Sequence, residues 1–357
     1  MPGPLTDAPA VSVIVLGYQG RSYVDACLTS VLDQDFGRPY EVLFVDNGST
    51  DGTADLAEQY EGVRVHRLAR NWGYCQGNNR GAELSRAPLV VFLNQDVVVH
   101  RSWLKELVAG VESAPSIIAA QASVVHPWNP EYAAKERCEL IGTAYAADLS
   151  RLGFVEYRRV PSDAAVTDTL FLSGVSIIVK RQALEEVGGY FFDPDMFAYG
   201  EDMDLALRIR TAGHRTVVAT RAIVYHDHTL QDDFSVASFV KTVRIIRNRL
   251  LALWKSSHWL EFLGLALVTL IGSPFNSGQF GKSARRKALY FALLIPPTLV
   301  AGPAALIAMP RYAERRRQTL ARRRVGKSWL LRTLLFDRSN LSQARASARA
   351  GPRSAGP

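Results

Sequence analysis

The first hundred residues alternate short apolar runs with segments of helical spacing. The four runs are Val11–Leu16, Glu41–Val45, Val63–Arg67 and Leu89–Leu93. Helices are predicted around residues 24–32 and 54–59, between the first three runs. Short apolar strands joined by helices predict an α/β fold in which a mostly parallel sheet carries helices on both faces. Ligands of such folds bind at the carboxyl ends of the strands.

Polar residues follow three of these runs. Asp46 ends the second run, Asn71-Trp72-Gly73-Tyr74 follows the third, and Asn94-Gln95-Asp96 ends the fourth. One Asp after a strand is also common in turns and helix caps, but three polar strand ends on one edge favour a ligand site. The sequence has neither a Gly-x-Gly-x-x-Gly motif nor a Walker lysine motif, so the usual phosphate loops are not predicted.

A run of three carboxylates, Glu201-Asp202-Met203-Asp204, precedes a helical segment. Neighbouring carboxylates raise each other's pKa unless a cation or a helix N-terminus relieves them, which favours a general base. The alternative is a solvated first helical turn, where acidic residues suit the helix dipole.

Composition indicates a globular protein that carries additional segments outside its core. The 357 residues are 48% hydrophobic, which is enough for a large core. The three cysteines, Cys27, Cys75 and Cys138, are far apart and lack metal-ligand spacing, so we expect a reducing compartment. Residues 1–10 do not resemble a signal peptide, and we expect a flexible N-terminus that faces the cytoplasm.

Charge divides the chain into two parts. Residues 241–357 contain 22 Lys and Arg against three acidic residues, a net charge of +19, whereas residues 1–240 contain 20 basic and 31 acidic residues, or −11. The basic part also holds two apolar stretches, 259–271 and 288–309. A basic, apolar region of this kind is typical of a membrane surface.

The first apolar stretch is too short to span a bilayer, and Pro296-Pro297 and Gly302-Pro303 interrupt the second. We therefore predict a peripheral or monotopic attachment to anionic lipids of the cytoplasmic leaflet. The alternatives are one or two transmembrane helices within 259–309 and a buried helical hairpin. Nucleic acid is not a predicted partner, because the basic residues border aliphatic runs and not interleaved aromatic residues.

Between about Val11 and His228 the chain resembles family 2 glycosyltransferases of the GT-A fold, in particular the bacterial branch that builds polysaccharide and O-antigen chains, such as rhamnosyltransferases. The motifs that carry the resemblance occur in family order. They are Val13–Tyr18, Val45–Thr53, Asn71–Gly81, Leu93–Asp96, Ser173-Gly174, Val187–Tyr190 and Glu201–Asp204.

The resemblance implies that one group of residues binds a nucleotide-sugar and that Ser173 and Gly174 lie on the acceptor side. The implied nucleotide-sugar residues are Tyr18, Asp46, Asn71, Gly73, Gly77, Asn78, Asn94 and Gln95. It also implies a divalent cation, Mg²⁺ or Mn²⁺, that neutralises the diphosphate leaving group. Asp96 is its first ligand.

The second ligand implied by the resemblance is a later histidine. Strand alternation places His226 and His228 on one face, so spacing does not choose between them, and the match to the family favours His226. Asn94 replaces the first acid of the family's Asp-x-Asp motif, which removes one charge from the site. Gln95 also differs from the proline that is typical of this branch.

The resemblance further implies that Asp202 is the base of an inverting transfer, in which an acceptor hydroxyl attacks the anomeric carbon. Glu201 then orients the acceptor or raises the basicity of Asp202. Asp204 and Arg208, four residues apart, are predicted to form a pair on the helix surface.

The sequence thus predicts four regions: a flexible N-terminus (1–10), a GT-A domain (11–240), a helical membrane-association region (241–337) and a disordered tail (338–357). The predicted activity is metal-dependent transfer with inversion from a nucleotide-sugar to a hydroxyl of a saccharide acceptor in cell-surface polysaccharide synthesis. We expect this acceptor to be lipid-linked. The alternatives are a nucleotidyltransferase, a degenerate transferase that only binds its ligand, and a non-enzymatic membrane scaffold.

Overall fold

The computed structural model describes residues 8–125, 144–226 except 151 and 162, 235–274 and 284–335. His228, residues 1–7 of the predicted flexible N-terminus and the predicted tail (338–357) lie outside the described residues.

Strands and helices alternate in the first part of the chain, as the apolar runs predict. In order they are β1 (Val11–Gly17), α1 (Arg21–Leu32), β2 (Tyr40–Asp46), α2 (Thr53–Ala57), β3 (Val63–Arg67), α3 (Gly73–Leu84), β4 (Leu89–Asn94), β5 (Val97–Val99) and α4 (Trp103–Glu112). The elements that follow are β6 (Ile117–Val125), β7 (Tyr145–Leu149), β8 (Val155–Arg159), β9 (Val166–Asp168), β10 (Ser176–Lys180), α5 (Glu201–Thr211) and β11 (Arg215–His226).

The strands form one mixed sheet with the order β3-β2-β1-β4-β10-β6-β11-β5. The first four of these strands are parallel, and β10 joins them antiparallel to β4. Gly17 of β1 lies opposite Asp46 of β2, and Leu16 lies opposite Asn94 of β4. The register therefore brings the polar strand ends together on one edge of the sheet.

Both faces of the sheet are covered, which explains why its central strands are continuously apolar. In β1, Val13 and Val15 contact the core cluster that includes Leu28 of α1 and Trp103 of α4. Ile14, between them, contacts the cluster on the other face, which includes Leu205 of α5. Alternate side chains of one strand thus enter two separate cores.

Helices follow the sheet. They are α6 (Val236–Ser256), α7 (Trp259–Gly272), α8 (Ala284–Ala321) and α9 (Trp329–Leu335). Leu251 of α6 and Leu265 of α7 belong to the same core cluster as Leu205 of α5. Residues beyond 240 therefore share a hydrophobic core with the sheet.

The prediction that prolines interrupt the second apolar stretch is wrong. Helix α8 is continuous over 38 residues and contains Pro296, Pro297, Pro303 and Pro310. A proline removes one backbone hydrogen bond and bends a helix without always ending it. The Thr298 hydroxyl donates to the Leu294 carbonyl at 2.6 Å, which adds a hydrogen bond within the turn that contains the first two prolines.

Among the described residues, one helical segment, Ala292–Ala321, is long and apolar enough to cross a membrane by length and composition, and 28% of its most apolar window is buried. Large apolar side chains are exposed on both hydrophobic helices. They are Trp259, Leu260, Leu263, Leu267 and Ile271 on α7, and Leu293, Ile295, Leu299, Val300, Leu306 and Ile307 on α8.

Candidate active site

Asp46 ends β2, and its side chain is buried. The Oδ2 atom accepts a hydrogen bond from the Ser49 backbone N–H at 3.0 Å, whereas Oδ1 has no hydrogen-bond partner among the described residues. An unpaired buried acceptor costs about 1–3 kcal/mol. This oxygen is therefore suited to accept a hydrogen bond from an N–H group of a ligand.

Asn47, which lies in the Val45–Thr53 motif but had no predicted role of its own, joins two loops at this edge. Its Nδ2 atom donates to Asn71 Oδ1 at 3.1 Å and to the Gly73 carbonyl at 3.2 Å. Its Oδ1 atom accepts from the Trp72 N–H at 3.0 Å. The sequence gives no sign of this role, because all three partners lie in the loop after another strand.

Gly73 is required by the backbone of its loop. Its φ is +84°, and a Cβ atom there would lie 2.6 Å from the ring and carbonyl oxygen of Phe197. Asn71 Oδ1 also accepts from the Gly73 N–H at 2.8 Å. Only glycine combines this conformation with such a close approach. Gly73 thus joins the predicted nucleotide side to the aromatic loop before α5.

Gly77 and Asn78 face the protein interior. A Cβ atom on Gly77 would lie 2.5 Å from Leu16, so Gly77 allows α3 to pack closely on β1. Asn78 is fully buried, and its Nδ2 atom donates to the Tyr74 carbonyl at 3.1 Å. Its Oδ1 atom has no partner among the described residues. Contact of either residue with a nucleotide-sugar stays a prediction.

Gln95 connects the loop after β4 to the loop after β1. Its Oε1 atom accepts from the Tyr18 N–H at 3.1 Å, and its Nε2 atom donates to the Tyr18 carbonyl at 2.8 Å. A Cβ atom on Gly20 would lie 2.2 Å from the Gln95 amide. Asn94 donates its backbone N–H to the Val175 carbonyl at 3.1 Å. These contacts leave the exposed Tyr18 ring beside the strand ends.

Asp96 and His226 come together from distant parts of the chain. His226 ends β11, where it lies opposite Val97 of β5, and its Nε2 atom is 3.3 Å from Asp96 Oδ2. Asp96 is partly exposed, whereas the His226 side chain is 8% exposed.

The chemistry of this pair fits a divalent cation. Carboxylate oxygen and imidazole nitrogen atoms both coordinate divalent metal ions such as Mn²⁺. The described residues contain no group of three or more His, Cys, Asp or Glu side chains that could hold a metal ion. A cation held by Asp96 and His226 would therefore take further ligands from outside this group, such as the phosphates of a bound nucleotide.

Asp202 lies at the start of α5, after a strained turn. Phe197 and Tyr199 have φ values of +66° and +68°, and Gly200 has a φ of +89°. Non-glycine residues seldom adopt this conformation, and it occurs often at functional sites. The turn directs α5 so that the Asp202 carboxylate accepts from the Gly174 N–H at 3.4 Å.

Burial raises the pKa of Asp202 to about 6. Burial, followed by the charge of Asp202, raises the pKa of Glu201 well above its ordinary range. Glu201 Oε2 is buried without a hydrogen-bond partner among the described residues. Two neighbouring carboxyls with raised pKa values are typical of sites that carry out acid–base chemistry.

Ser173 and Gly174 lie opposite this pair. The Ser173 N–H donates to Gln121 Oε1 at 3.0 Å, and the Gly174 carbonyl accepts from the Tyr74 hydroxyl at 2.7 Å. Gly174 therefore connects Tyr74 of α3 with Asp202 of α5. Tyr74 had no predicted role of its own, and only the folded chain shows its position.

The predicted surface position of Asp204 and Arg208 is wrong. They do form an ion pair, at 2.9 Å, but both side chains are fully buried. Asp204 also pairs with Lys255 of α6 at 2.8 Å, and Lys255 pairs with Asp193 at 2.6 Å. The pattern of α5 could not reveal this burial, because the covering helix α6 begins more than 30 residues later.

Comparisons with known proteins identify the family and the fold. A family model described as Glycosyl transferase family 2 matches residues 12–188. An N-acetylglucosaminyl-diphospho-decaprenol L-rhamnosyltransferase of Mycobacterium tuberculosis is 30% identical over 235 residues, which are 60% of this chain and 75% of that protein. A protein of Sinorhizobium fredii described as uncharacterized is 29% identical over 234 residues, which are 62% of this chain. The matched region spans only 25% of that relative's length.

Two solved structures that resemble this chain have the GT-A fold. GalNAc-T7 with UDP, GalNAc and Mn²⁺ has a TM-score of 0.55 at 15% identity, covering 81% of this chain and 55% of its own. A mannosyltransferase of Pyrobaculum calidifontis with GDP-Man and Mn²⁺ has a TM-score of 0.51 at 17% identity, covering 94% of this chain and 89% of its own. The predicted α/β architecture with helices on both faces of the sheet is confirmed.

Proposed function

We propose that this chain, which belongs to glycosyltransferase family 2, transfers a sugar from a nucleotide-sugar to a hydroxyl of a saccharide acceptor with inversion. The observation that carries the proposal is the position of Asp202, a carboxylate with a raised pKa at the end of a strained turn and within hydrogen-bond distance of Gly174. A base with a pKa near 6 is ionised at neutral pH and can remove a hydroxyl proton.

The donor occupies the carboxyl edge of the sheet in this proposal. Asp46 Oδ1, which is buried without a partner among the described residues, accepts a hydrogen bond from an N–H group of the nucleotide base. Asp96 and His226 hold a divalent cation together with the diphosphate. When bound, that cation supplies the positive charge that a diphosphate needs to become a good leaving group.

Asp202 then removes the proton of the attacking hydroxyl. The Gly174 N–H and the Met203 N–H, which donates to Asp202 Oδ1 at 2.7 Å, fix the orientation of the carboxylate. Glu201, beside it, is a carboxyl whose pKa is raised by burial, and it orients the acceptor. Gly174 and Ser173 form the opposite wall of the acceptor side.

The substitution Asp202→Asn tests this function. We expect transfer to fall about 100- to 10,000-fold, because a general base contributes rate factors of that order. Nucleotide binding, measured by calorimetry with Mn²⁺, stays unchanged. Asp25→Asn, which alters an exposed carboxylate of α1 bonded to Tyr60, is the matched control. Normal turnover by Asp202→Asn, or release of pyrophosphate in place of a nucleoside diphosphate, would refute the proposal.

The cation site has a readout that does not depend on turnover. A thermal-shift screen of nucleotides with and without Mn²⁺ reports binding to the folded state. We expect Mn²⁺ to raise the melting temperature of the nucleotide complex, and Asp96→Asn and His226→Ala to abolish that increment. An unchanged Mn²⁺ increment in both variants would exclude this pair as the ligands.

We also propose that the acceptor is lipid-linked and that the enzyme lies on the cytoplasmic side of the membrane. The exposed apolar faces of α7 and α8 support this, together with the basic residues that follow the apolar part of α8. The named substrate of the mycobacterial relative, a diphospho-decaprenol saccharide, supports it further. Cell-surface polysaccharide synthesis is the process that such an acceptor serves.

Vesicle binding tests the membrane proposal. Leu299 and Ile307 are 70% and 81% exposed on α8, and the double substitution Leu299→Glu and Ile307→Glu adds charge to the proposed lipid face. We expect it to abolish co-sedimentation with phosphatidylglycerol vesicles. Val236→Glu, at a residue of α6 that is 80% exposed, is the matched control. Equal vesicle binding by all three proteins would refute the attachment.

A further inference from the structure

We propose that Lys241 and Arg244 of α6 bind the diphosphate of the acceptor, beside a platform formed by Phe197 and Tyr199. This inference rests on the proposed function, since it assumes that Asp202 receives an acceptor hydroxyl. It adds a binding site outside the motifs of the sheet edge.

Helix α6 packs directly against the start of α5. A Cβ atom on Gly200 would lie 3.0 Å from the Asn248 Cβ atom, so the two backbones approach closely there. The Nδ2 atom of Asn248 donates to the carbonyls of Met196, Ala198 and Tyr199 at 3.0, 3.1 and 2.6 Å. The face of α6 that carries Asn248 therefore adjoins the turn that precedes Asp202.

Lys241 and Arg244 share this face, because residues spaced by three, four and seven positions on a helix lie above one another. Arg244 precedes Asn248 by one turn, which is roughly 6 Å along the helix axis. The two residues thus lie about one and two turns along α6 from Asn248, which contacts the turn before α5.

Each cation contacts an aromatic ring of the turn that precedes Asp202. The Arg244 guanidinium lies 4.5 Å from the centre of the Phe197 ring, and the Lys241 ammonium lies 5.4 Å from the centre of the Tyr199 ring. Both rings are more than a third exposed, and both residues have the positive φ values described above. A sugar can pack on such exposed rings while its hydroxyl points to the base.

Lys241 and Arg244 form no ion pair with a carboxylate in the described part of the chain, whereas other basic residues near α5 do. Arg315 of α8, for example, pairs with Asp193 and Asp195 at 2.8 and 2.6 Å. The charges of Lys241 and Arg244 are therefore available to an anion. Two cations about one turn apart match the two phosphoryl groups of a diphosphate.

The other side of α6 leads to the proposed lipid face. Ile246 and Leu250 of α6 pack with Ala301 and Ala305 of α8, and α8 carries the exposed apolar residues described above. Each part of such an acceptor then has a counterpart in the protein. The base faces the hydroxyl and the aromatic platform faces the sugar. The two cations bind the diphosphate, and the apolar helix α8 lies beside the lipid. A diphosphate lipid is the ligand class that fits all four features.

Binding of farnesyl diphosphate tests this site. The measurement is calorimetric titration of the full chain in detergent with EDTA, so that no divalent cation binds the probe at the donor site. We expect Lys241→Gln with Arg244→Gln to weaken binding about tenfold or more, because each charged hydrogen bond contributes on that order. Arg101→Gln with Lys105→Gln, two exposed basic residues near α4, is the matched control and retains wild-type affinity.

Two further probes separate the sources of the phosphate. Farnesol should not bind, and phosphatidylglycerol vesicles should bind the double variant almost as well as the wild type. Unchanged farnesyl diphosphate affinity in the double variant overturns the inference. If the double variant also loses vesicle binding, the two cations contact bulk lipid headgroups, which likewise overturns the inference.

The outcome is separable from that of the proposed function. If Asp202→Asn abolishes transfer while the double variant keeps its affinity, the function stands and this site fails. If Asp202→Asn keeps full transfer while the double variant loses affinity, the assignment of the base fails and the anion site stands.

Discussion

The Lys255 ammonium lies 2.8 Å from Asp204 Oδ1, and both side chains are completely buried. Lys255 comes from α6, in the basic part of the chain, and Asp204 belongs to the acidic run beside the proposed base. This ion pair therefore fixes the C-terminal helices to the helix that carries Asp202. Asp193, which also contacts Lys255, and Arg208 complete a buried network of alternating charge.

Lys255→Met should destabilise the fold by about 3–5 kcal/mol, because it removes the buried cation that Asp193 and Asp204 share. The free energy of unfolding, measured by urea denaturation, checks this. Glu112→Gln, which removes one partner of the half-exposed ion pair with Arg38, should change stability little. A Lys255→Met variant as stable as the control would show that the buried pair contributes no net stability.

Activity should depend on the ionisation of Asp202. Because the pKa of this carboxyl is about 6, kcat/KM should be constant above pH 7 and fall about tenfold for each pH unit well below 6. A pH–rate profile at fixed ionic strength measures this. A profile that stays flat down to pH 5 would contradict Asp202 as the base.

Asp202→Asn should also stabilise the protein at neutral pH. Burial raises the folded-state pKa to about 6 from the ordinary 3.8, so between these values the folded state binds more protons than the unfolded state. The free energy of unfolding of the wild type therefore decreases as the pH rises through this range. We expect the variant to melt at a higher temperature at pH 7.5 and to lose most of this advantage near pH 4, as measured by calorimetry.

Asp46→Asn should weaken nucleotide binding. The substitution removes the charge of an acceptor whose Oδ1 atom is buried and unpaired among the described residues, and hydrogen bonds to charged groups contribute about 1.5–3 kcal/mol. Calorimetry with the nucleotide found in the thermal-shift screen should give an affinity that is roughly 10- to 100-fold lower. Glu83→Gln, on an exposed face of α3, is the control, and equal affinities would contradict the role of Asp46.

Asn248→Asp should lower kcat more than it raises the KM for the donor. An ionised Asp has the shape of Asn but cannot donate to the three carbonyls of residues 196, 198 and 199, so the strained turn before α5 loses its support. Steady-state kinetics with a melting curve separates this effect from unfolding. Ile245→Ala, at an exposed neighbour on α6, is the control and should behave as the wild type. If Asn248→Asp has the same kcat as Ile245→Ala, Asn248 does not position the turn before α5.

The local pattern was sufficient for the elements near the site. The strand ends at Asp46 and Asn94 and the start of α5 at Glu201 lie where the apolar runs and the acidic run predict them. The pairing of Asp96 with a histidine came from the family resemblance, and the 3.3 Å separation from His226 agrees with it. The roles of Asn47, Tyr74 and Asn248 were not predicted, because each depends on partners in another loop or helix.

The sequence by itself determined the alternation of strands and helices, the edge where the polar strand ends meet and the division into an acidic and a basic part. These properties depend on periodicity and composition, which are local. Only the tertiary structure decided that Asp204 is buried, that α8 is continuous through its prolines and that α6 supports the turn before Asp202. These properties depend on which surfaces pack together, and burial and packing between distant segments set both the charge state of a carboxylate and the conformation of a loop.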